Sequence, residues 1–161
     1  LLLQLAHPRP PQLAVGVAIR GVAPSEADLR TVHRIVDSAF MDHFGHEPAS
    51  YESWLALTAH GSRSDLSLWW LASVDGVPAA VLYGLAEDGG GHIDTLGTLR
   101  EFRGRGLGRA LMLVAFSEFA RRGLRRVSLG VDATNPTGAK ELYESLGMTV
   151  SAEGLRYEIY P

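Results

Sequence analysis

The chain has 161 residues, of which 46% are apolar and 20% are charged, and its formal net charge is -3. These values are typical of one folded globular domain and exclude a disordered tail or a fibrous repeat. The absence of cysteine excludes disulfides, thiolate metal sites and a cysteine nucleophile. The acidic balance argues against general nucleic-acid binding, which draws its energy from a basic excess.

The N-terminal segment combines a short apolar run with prolines. LLLQLA is far shorter than the roughly 20 residues that a membrane span needs, and it lacks the basic start and the cleavage site of a signal peptide. HPRPPQ carries Pro8, Pro10 and Pro11, which prevent a helix. We therefore expect a linker or extension over residues 1–12, a domain over residues 13–161 and a cytoplasmic protein without membrane contact.

The first half of the chain predicts a strand, two helices and a hairpin. β-branched apolar residues over 14–22 predict a buried strand. Ser25 is the N-cap of an amphipathic helix over about 25–44, and a shorter helix, SYESWLALTAH, follows. Asp75-Gly76 lies between two apolar runs and suits the positive φ angles of a hairpin turn.

The second half predicts three more strands and two more helices. A flexible glycine tip, DGGG, precedes a strand over about 92–99, and a long amphipathic helix ends at Gly123. A strand, a helix that Gly147 ends, and a last strand follow. The order βααβββαβαβ predicts a mixed α/β or α+β layer fold with one sheet.

The stretch REFRGRGLGRA places three glycines in front of the long helix. A dinucleotide-binding fingerprint needs a different spacing of the third glycine, and a Walker A loop needs Lys-Ser or Lys-Thr where arginine and alanine stand here. The remaining pattern is a strand, then Arg103-x-x-Gly106-x-Gly108, then the helix.

This pattern resembles the acyl-CoA signature of the GNAT superfamily of N-acetyltransferases: Arg or Gln, two residues, Gly, one residue, Gly or Ala. The resemblance extends to LYESLGM and to the element order over about Leu13 to Tyr160. It implies a GNAT-like fold, acetyl-CoA as co-substrate without a metal, and acetyl transfer to a primary amine of a small molecule or peptide by direct attack in a ternary complex. A non-catalytic acyl-CoA-binding module is the alternative.

The glycine loop predicts the cofactor site on physical grounds as well. Free amides at a helix start and the helix dipole attract anions, so Gly104 to Arg109 are expected to hold the CoA pyrophosphate. The resemblance implies main-chain contacts of the preceding strand with the pantetheine arm, and an asparagine that bonds the pantetheine or its phosphates. The predicted cofactor residues are Leu96, Thr98, Arg103, Gly104, Arg105, Gly106, Leu107, Gly108, Arg109 and Asn135.

Three side chains are candidates for catalysis. Strand alternation predicts His92 and Asp94 on one face, together with Leu96 and Thr98. The resemblance implies that His92 takes the proton of the acceptor amine, and an ordinary pKa of about 6.5 suits that role. Asp94 is expected to orient the imidazole or to bind the cationic amine.

Both residues also have a purely structural interpretation, in which His92 ends an exposed strand and a neighbouring amide satisfies Asp94. The third candidate is Tyr143, because the resemblance implies that the tyrosine of LYESLG protonates the departing CoA thiolate. A core tyrosine with a capped hydroxyl is the alternative at that position.

The resemblance implies that the first two helices and their loop recognise the acceptor, here through the segment FMDHFGHEPASYESW. It offers His43, His46, Glu47, Tyr51 and Trp54, although each is also a normal packing residue and Trp54 is expected in the core. The chain looks most like the C-terminal half of two-domain, mycothiol-synthase-like members of the family. The expected partners are therefore a small-molecule amine and either a second GNAT-like domain or a second copy in a homodimer, with no nucleic acid.

Overall fold

The computed structural model describes residues 10–41, 47–130, 139–150 and 156–159. The strands are β1 (Val17–Gly21), β2 (Trp69–Val74), β3 (Val77–Glu87), β4 (Gly90–Thr98), β5 (Val127–Gly130), β6 (Thr149–Val150) and β7 (Arg156–Ile159). The α-helices are α1 (Glu26–Ala39), α2 (Tyr51–Trp54), α3 (Leu107–Arg121) and α4 (Ala139–Ser145). A π-helix at Leu55–Ala59 continues α2. No helix within these ranges has the length and apolar character to cross a bilayer.

The strands form one mixed sheet in the order β1-β2-β3-β4-β5-β7-β6. Every neighbouring pair is antiparallel except β4 and β5, which are parallel. One side of the sheet, the α1 face, is covered by α1, α2 and the π-helix, and the other side, the α3 face, is covered by α3 and α4. The predicted α/β layer fold with a single sheet is confirmed.

Each face of the sheet has its own buried core. On the α1 face, Val32 and Ile35 of α1 pack with the sheet residue Trp69. On the α3 face, Phe119 is fully buried, and its ring lies directly on the sheet backbone. A Cβ added at Gly91 would lie 2.6 Å from that ring, so this strand position accepts no side chain.

Two tight hairpins set the register of the central strands. The predicted turn at Asp75-Gly76 is confirmed, with φ angles of 47° and 80°. A second turn with the same geometry lies at Asp88-Gly89, where φ is 48° and 74°. The sequence predicts a flexible tip there, but β4 begins directly after the turn, at Gly90.

The ends of several elements differ from the prediction. β1 begins at Val17 and is partly exposed, because β2 is its one neighbour among the described strands. α1 ends at Ala39, earlier than expected, since its pattern of buried residues stops there. A further strand, β6, precedes β7, and two residues of pairing are too short to leave a periodic signal in the sequence.

Candidate active site

The ladder between β4 and β5 ends early, which opens a gap at the centre of the sheet. The two strands pair only at Gly91–Ile93 with Val127–Leu129, whereas β4 runs on to Thr98. Past Ile93, the β5-side edge of β4 therefore has no ladder partner among the described residues. Its main-chain groups face this opening, which we call the β4–β5 gap.

Two residues of β4 turn their main-chain groups toward the gap. The Leu99 amide donates to the Ala79 carbonyl at 2.9 Å, toward β3. Because successive residues of a strand direct N–H and C=O to opposite edges, Gly97 also faces β3, whereas Leu96 and Thr98 face away from it. These are the two residues predicted to offer main-chain contacts. The Leu96 side chain packs against the core of the α3 face.

A β-bulge at Asp94 interrupts the alternation of β4. Thr95 pairs with Tyr83, and Ile93 pairs with Gly84, so Asp94 is an extra residue with no opposite partner. The bulge shifts every later side chain of the strand to the opposite face from the one that simple alternation predicts.

The prediction that His92, Asp94, Leu96 and Thr98 share one face is therefore wrong. Gly91 is directed at the α3 face, so its neighbour His92 lies on the α1 face. Leu96 and Thr98 lie on the α3 face, since a strand with an inserted residue no longer keeps a period of two.

The His92 imidazole lies among polar side chains and is mostly buried, with 15% of the side chain exposed. Its Nδ1 atom is 3.0 Å from the Ser128 hydroxyl and 3.6 Å from a carboxylate oxygen of Glu87. The other Glu87 oxygen pairs with Arg63. This network joins three strands to the segment before β2.

Glu87 and Ser128 are site residues that the sequence analysis missed. Asp94 was expected to orient the imidazole, but Glu87 lies beside it instead. Leu85 pairs with His92, and Glu87 is the next residue of β3 on the same face, within diagonal reach of the ring. The Asp88-Gly89 turn could have predicted this contact, because a two-residue hairpin fixes how the residues of β3 and β4 pair.

Asp94 faces a half-open cavity of about 250 Å³ on the α1 face. Trp69 and Tyr83 line its floor and stack on each other with ring centroids 4.2 Å apart. Burial raises the pKa of the Tyr83 hydroxyl, which therefore stays neutral at physiological pH. The cavity thus combines an aromatic floor with one carboxylate at its edge.

The glycine loop leads into α3 through two residues with positive φ. Gly104 and Gly106 both have φ of 76°, a conformation that favours glycine. α3 begins at Leu107, and the Ala110 amide is the first to bond within the helix, at 3.0 Å to the Gly106 carbonyl. The amides of residues 107–109 have no partner within the helix, which makes this end suited to an anion.

The Arg103 guanidinium bonds to main-chain carbonyl groups. Its Nε donates to the Thr98 carbonyl at 3.2 Å, and an Nη atom donates to the Ala39 carbonyl at 3.0 Å. The side chain therefore ties the end of β4 to the end of α1. It also places a positive charge at the C-terminal end of that helix, where the dipole favours a cation.

The other two arginines of the loop are exposed at its rim. The Arg105 guanidinium lies over the Phe102 ring, 5.6 Å from its centroid. Arg109 donates to the Ser145 hydroxyl of α4 at 3.0 Å. Both leave positive charge next to the first turn of α3.

Tyr143 lies on α4 and belongs to the core of the α3 face, with 9% of its surface exposed. Burial raises the pKa of its hydroxyl, so the phenol keeps its proton at neutral pH. The neighbouring Leu142 side chain reaches α3, where a Cβ added at Gly108 would lie 3.4 Å from it. α4 therefore packs against the first turn of α3. Asn135 lies outside the described residues.

The aromatic residues predicted for acceptor binding pack into the protein. Trp54 is 7% exposed and lies in the core of the α1 face, as expected. Tyr51 stacks on it with ring centroids 6.1 Å apart. His43 and His46 lie outside the described residues.

This combination of fold and site agrees with a direct comparison with known families. The profile of the Acetyltransferase (GNAT) family matches residues 29–148. The chain therefore belongs to the GNAT acetyltransferase family, and the predicted resemblance is confirmed.

Two curated relatives are mycothiol acetyltransferases. The protein from Beutenbergia cavernae is 33% identical over 140 residues, which cover 72% of this chain and 47% of the relative. The protein from Thermobispora bispora is 49% identical over 59 residues, which cover 37% of this chain and 20% of the relative. The chain thus spans about half or less of the length of these relatives.

Solved structures share the fold. A GCN5-related N-acetyltransferase from Sphaerobacter thermophilus has a TM-score of 0.79 and 34% identity, covering 98% of this chain and 50% of that one. The PaiA N-acetyltransferase from Thermoplasma acidophilum, solved in complex with coenzyme A, has a TM-score of 0.69 and 18% identity, covering 90% and 99% of the two chains.

Proposed function

We propose that the chain transfers an acetyl group from acetyl-CoA to a primary amine of a small molecule or peptide, by direct attack in a ternary complex. The observation that carries this proposal is the β4–β5 gap, which exposes main-chain groups of β4. The first turn of α3 is close to this strand, since a Cβ added at Gly108 would lie 3.6 Å from the Leu96 side chain. Membership of the GNAT family supports acetyl transfer. The mycothiol acetyltransferase relatives support a small acceptor.

The chain would bind acetyl-CoA along this gap. Leu96 and Thr98 would hold the pantetheine arm and polarise the thioester carbonyl through their main-chain amides. The amides of residues 107–109 would hold the pyrophosphate, while Arg105 and Arg109 add positive charge. The coenzyme A in the PaiA structure supports a CoA site in this fold.

The proposed reaction forms one bond and breaks one bond. The amine nitrogen attacks the thioester carbonyl carbon, and the carbon–sulfur bond then breaks. His92 accepts the proton that the nitrogen loses, and the Tyr143 hydroxyl gives its proton to the leaving thiolate. Solvent exchange restores both groups, so the products are the acetylated amine and free CoA.

The environments of these two residues suit opposite roles. The raised pKa of Tyr143 keeps a proton available on the phenol. The carboxylate of Glu87, 3.6 Å from the His92 ring, stabilises the imidazolium that forms when the ring accepts a proton. Asp94, on the same face as His92, would bind the ammonium form of the acceptor before it loses its proton.

Calorimetric titration of acetyl-CoA into the purified chain tests the cofactor site. Gly106→Glu places a negative charge at the start of α3, and Gly123→Glu is the matched control. Both glycines have a positive φ, at 76° and 77°, and a Cβ at either would meet nothing within 4 Å. The two variants therefore carry the same charge and similar backbone strain at opposite ends of one helix.

We expect Gly106→Glu to weaken acetyl-CoA binding at least about tenfold and Gly123→Glu to leave it nearly unchanged. Equal effects of the two variants would refute a phosphate site at this helix start. Binding without turnover of any amine would instead indicate a non-catalytic acyl-CoA-binding module.

A further inference from the structure

The described lining of the half-open cavity beside Asp94 comes from the sheet and from the segment that follows Trp54. Its floor is formed by β2, β3 and β4, and its wall is the segment from the end of the π-helix to β2, which we call the 57–64 wall. The lining residues are Leu57, Thr58, Gly61, Ser62, Arg63, Ser64, Trp69, Tyr83, Gly84, Leu85 and Asp94.

The cavity carries one uncompensated charge. Arg63 and Asp94 are the charged residues of the lining within the described part of the chain, and Arg63 is paired with Glu87. Among the described residues, Asp94 forms no ion pair, and the Thr95 hydroxyl donates to its carboxylate at 3.5 Å, a long distance for a hydrogen bond. The site therefore favours a cation, such as a protonated amine.

The 57–64 wall contributes three hydroxyl groups to the lining of the cavity. The Ser64 hydroxyl is buried and makes no hydrogen bond within the part of the chain that is described. A buried hydroxyl without a partner is costly, and a ligand hydroxyl that reached it would remove that cost. Thr58 and Ser62 add two more hydroxyl groups to the same lining.

The shape of the wall is fixed by a local irregularity. The π-helix at Leu55–Ala59 ends in a tight turn, where a Cβ added at Gly61 would lie 2.7 Å from the Leu57 carbonyl oxygen. Single π-turns occur often at functional sites. The turn directs the chain back over the sheet, which leaves the cavity enclosed on one side.

The cavity also lies next to the predicted point of acetyl transfer. β4 and β5 separate after Ile93, and Asp94 is the next residue of the chain. An amine bound to the Asp94 carboxylate therefore lies at the opening of the β4–β5 gap, beside the main chain of Leu96.

We propose that this cavity is the acceptor subsite and that it selects a small hydroxylated primary amine, with the ammonium group on Asp94 and a hydroxyl on Ser64. The inference rests on the proposed acetyl transfer and adds the class of substrate. An apolar amine of the same chain length would leave the Ser64 hydroxyl without a partner. A volume of about 250 Å³ suits a small molecule and not an extended peptide.

Two amines test this selectivity. Glucamine and hexylamine share a six-carbon chain with a terminal primary amine, and only glucamine carries hydroxyl groups. Calorimetry with each amine on the chain saturated with CoA measures the cavity alone. Thiol release from acetyl-CoA in the presence of each amine measures the chemistry.

Three variants identify the groups that bind. Asp94→Asn removes the charge, Ser64→Ala removes the buried hydroxyl, and Asp88→Asn is the matched control in the exposed turn before β4. We expect glucamine to bind at least about tenfold more tightly than hexylamine. Asp94→Asn should weaken both amines about tenfold. Ser64→Ala should weaken glucamine alone, and Asp88→Asn neither.

The outcomes separate this inference from the proposed function. Equal binding of the two amines, binding of neither, or equal effects of Asp94→Asn and Asp88→Asn would overturn the cavity as the acceptor subsite. Thiol release at equal rates with both amines would retain acetyl transfer and overturn the selectivity. Selective binding of glucamine without thiol release would retain the subsite and refute the proposed catalysis.

Discussion

The two faces of the sheet contribute different kinds of chemical group to the candidate site. The α3 face uses main-chain groups: the open edge of β4, two glycines with positive φ and the first amides of α3. The α1 face uses side chains drawn from four separate segments, namely Arg63, Glu87, His92, Asp94 and Ser128. A main-chain site is encoded locally and can be read from one motif. A side-chain site depends on register and long-range packing.

The largest expected effect comes from filling the contact between Phe119 and the backbone of β4. Gly91→Val should destabilise the fold by about 3 kcal/mol, because the new side chain would overlap a buried ring. Gly130→Val is the control, since a Cβ there would meet nothing within 4 Å. Urea unfolding of both variants measures the difference, and similar midpoints would show that the ring can move.

Removal of the proposed acid separates catalysis from binding on the α3 face. Tyr143→Phe should lower kcat about 100-fold and leave the Kd of acetyl-CoA nearly unchanged, because the ring still fills its place in the core. Ser117→Ala, which removes a half-buried hydroxyl of α3 that donates to the Leu113 carbonyl, is the control and should keep full activity. Steady-state kinetics with calorimetry decides, and an unchanged kcat in Tyr143→Phe would exclude the acid role.

On the α1 face, Glu87 lies beside His92, and we expect it to act through the imidazole as a positioning residue. Glu87→Gln should lower kcat about tenfold with little change in KM. The acid limb of the rate profile should move to lower pH, because the imidazolium loses a carboxylate 3.6 Å away. The exposed Glu52→Gln is the control. A rate loss without movement of the acid limb would indicate a merely structural role for Glu87.

The smallest effect concerns the C-terminal end of α3. Hydrogen bonds from Arg121 lower the pKa of Glu118 to about 2, and Arg122 contributes as well. A lowered carboxyl pKa stabilises the fold above the ordinary value of 4.5, and this contribution is lost as the pH falls toward 2.

Glu118→Gln should therefore cost about 1 kcal/mol at pH 7, since the side chain is partly screened by solvent, and almost nothing near pH 2. Glu26→Gln breaks a more exposed pair with Arg30 and should cost less. Thermal unfolding at both pH values measures the effect, and a constant difference between them would contradict the assigned ion pairs.

The sequence predicted the α3 face well for a physical reason. The glycine loop and the helix that follows are contiguous, and their conformations depend on local preferences. Leu96 and Thr98 were chosen by counting along the strand, and the structure directs their main-chain groups away from β3. Their contacts with acetyl-CoA stay a prediction. The hydrogen bonds of the Arg103 side chain could not be predicted from its position in the motif, because its two carbonyl partners lie on β4 and α1.

The α1 face was predicted less well. His92 and Asp94 were identified as polar residues of one strand. The bulge at Asp94 could not be predicted, because it leaves no pattern in the neighbouring sequence. To predict Glu87 as a neighbour of His92, the turn type of the second hairpin must be known. To predict Ser128 there, the parallel pairing of β4 with β5 must be known. The 57–64 wall depends on a π-helix, which a helical period of 3.6 does not reveal.

The bulge at Asp94 makes the number of residues in β4 as important as their identity. A substitution at this position changes one functional group and keeps every other side chain on its face. A deletion of Asp94 would restore plain alternation and also keep the other side chains on their faces, because Ile93 and Thr95 already lie on opposite faces of the sheet. A deletion outside the bulge would instead turn over all side chains of the strand on one side of the deleted residue. Insertions and deletions in this strand therefore test the fold in a way that no point substitution can.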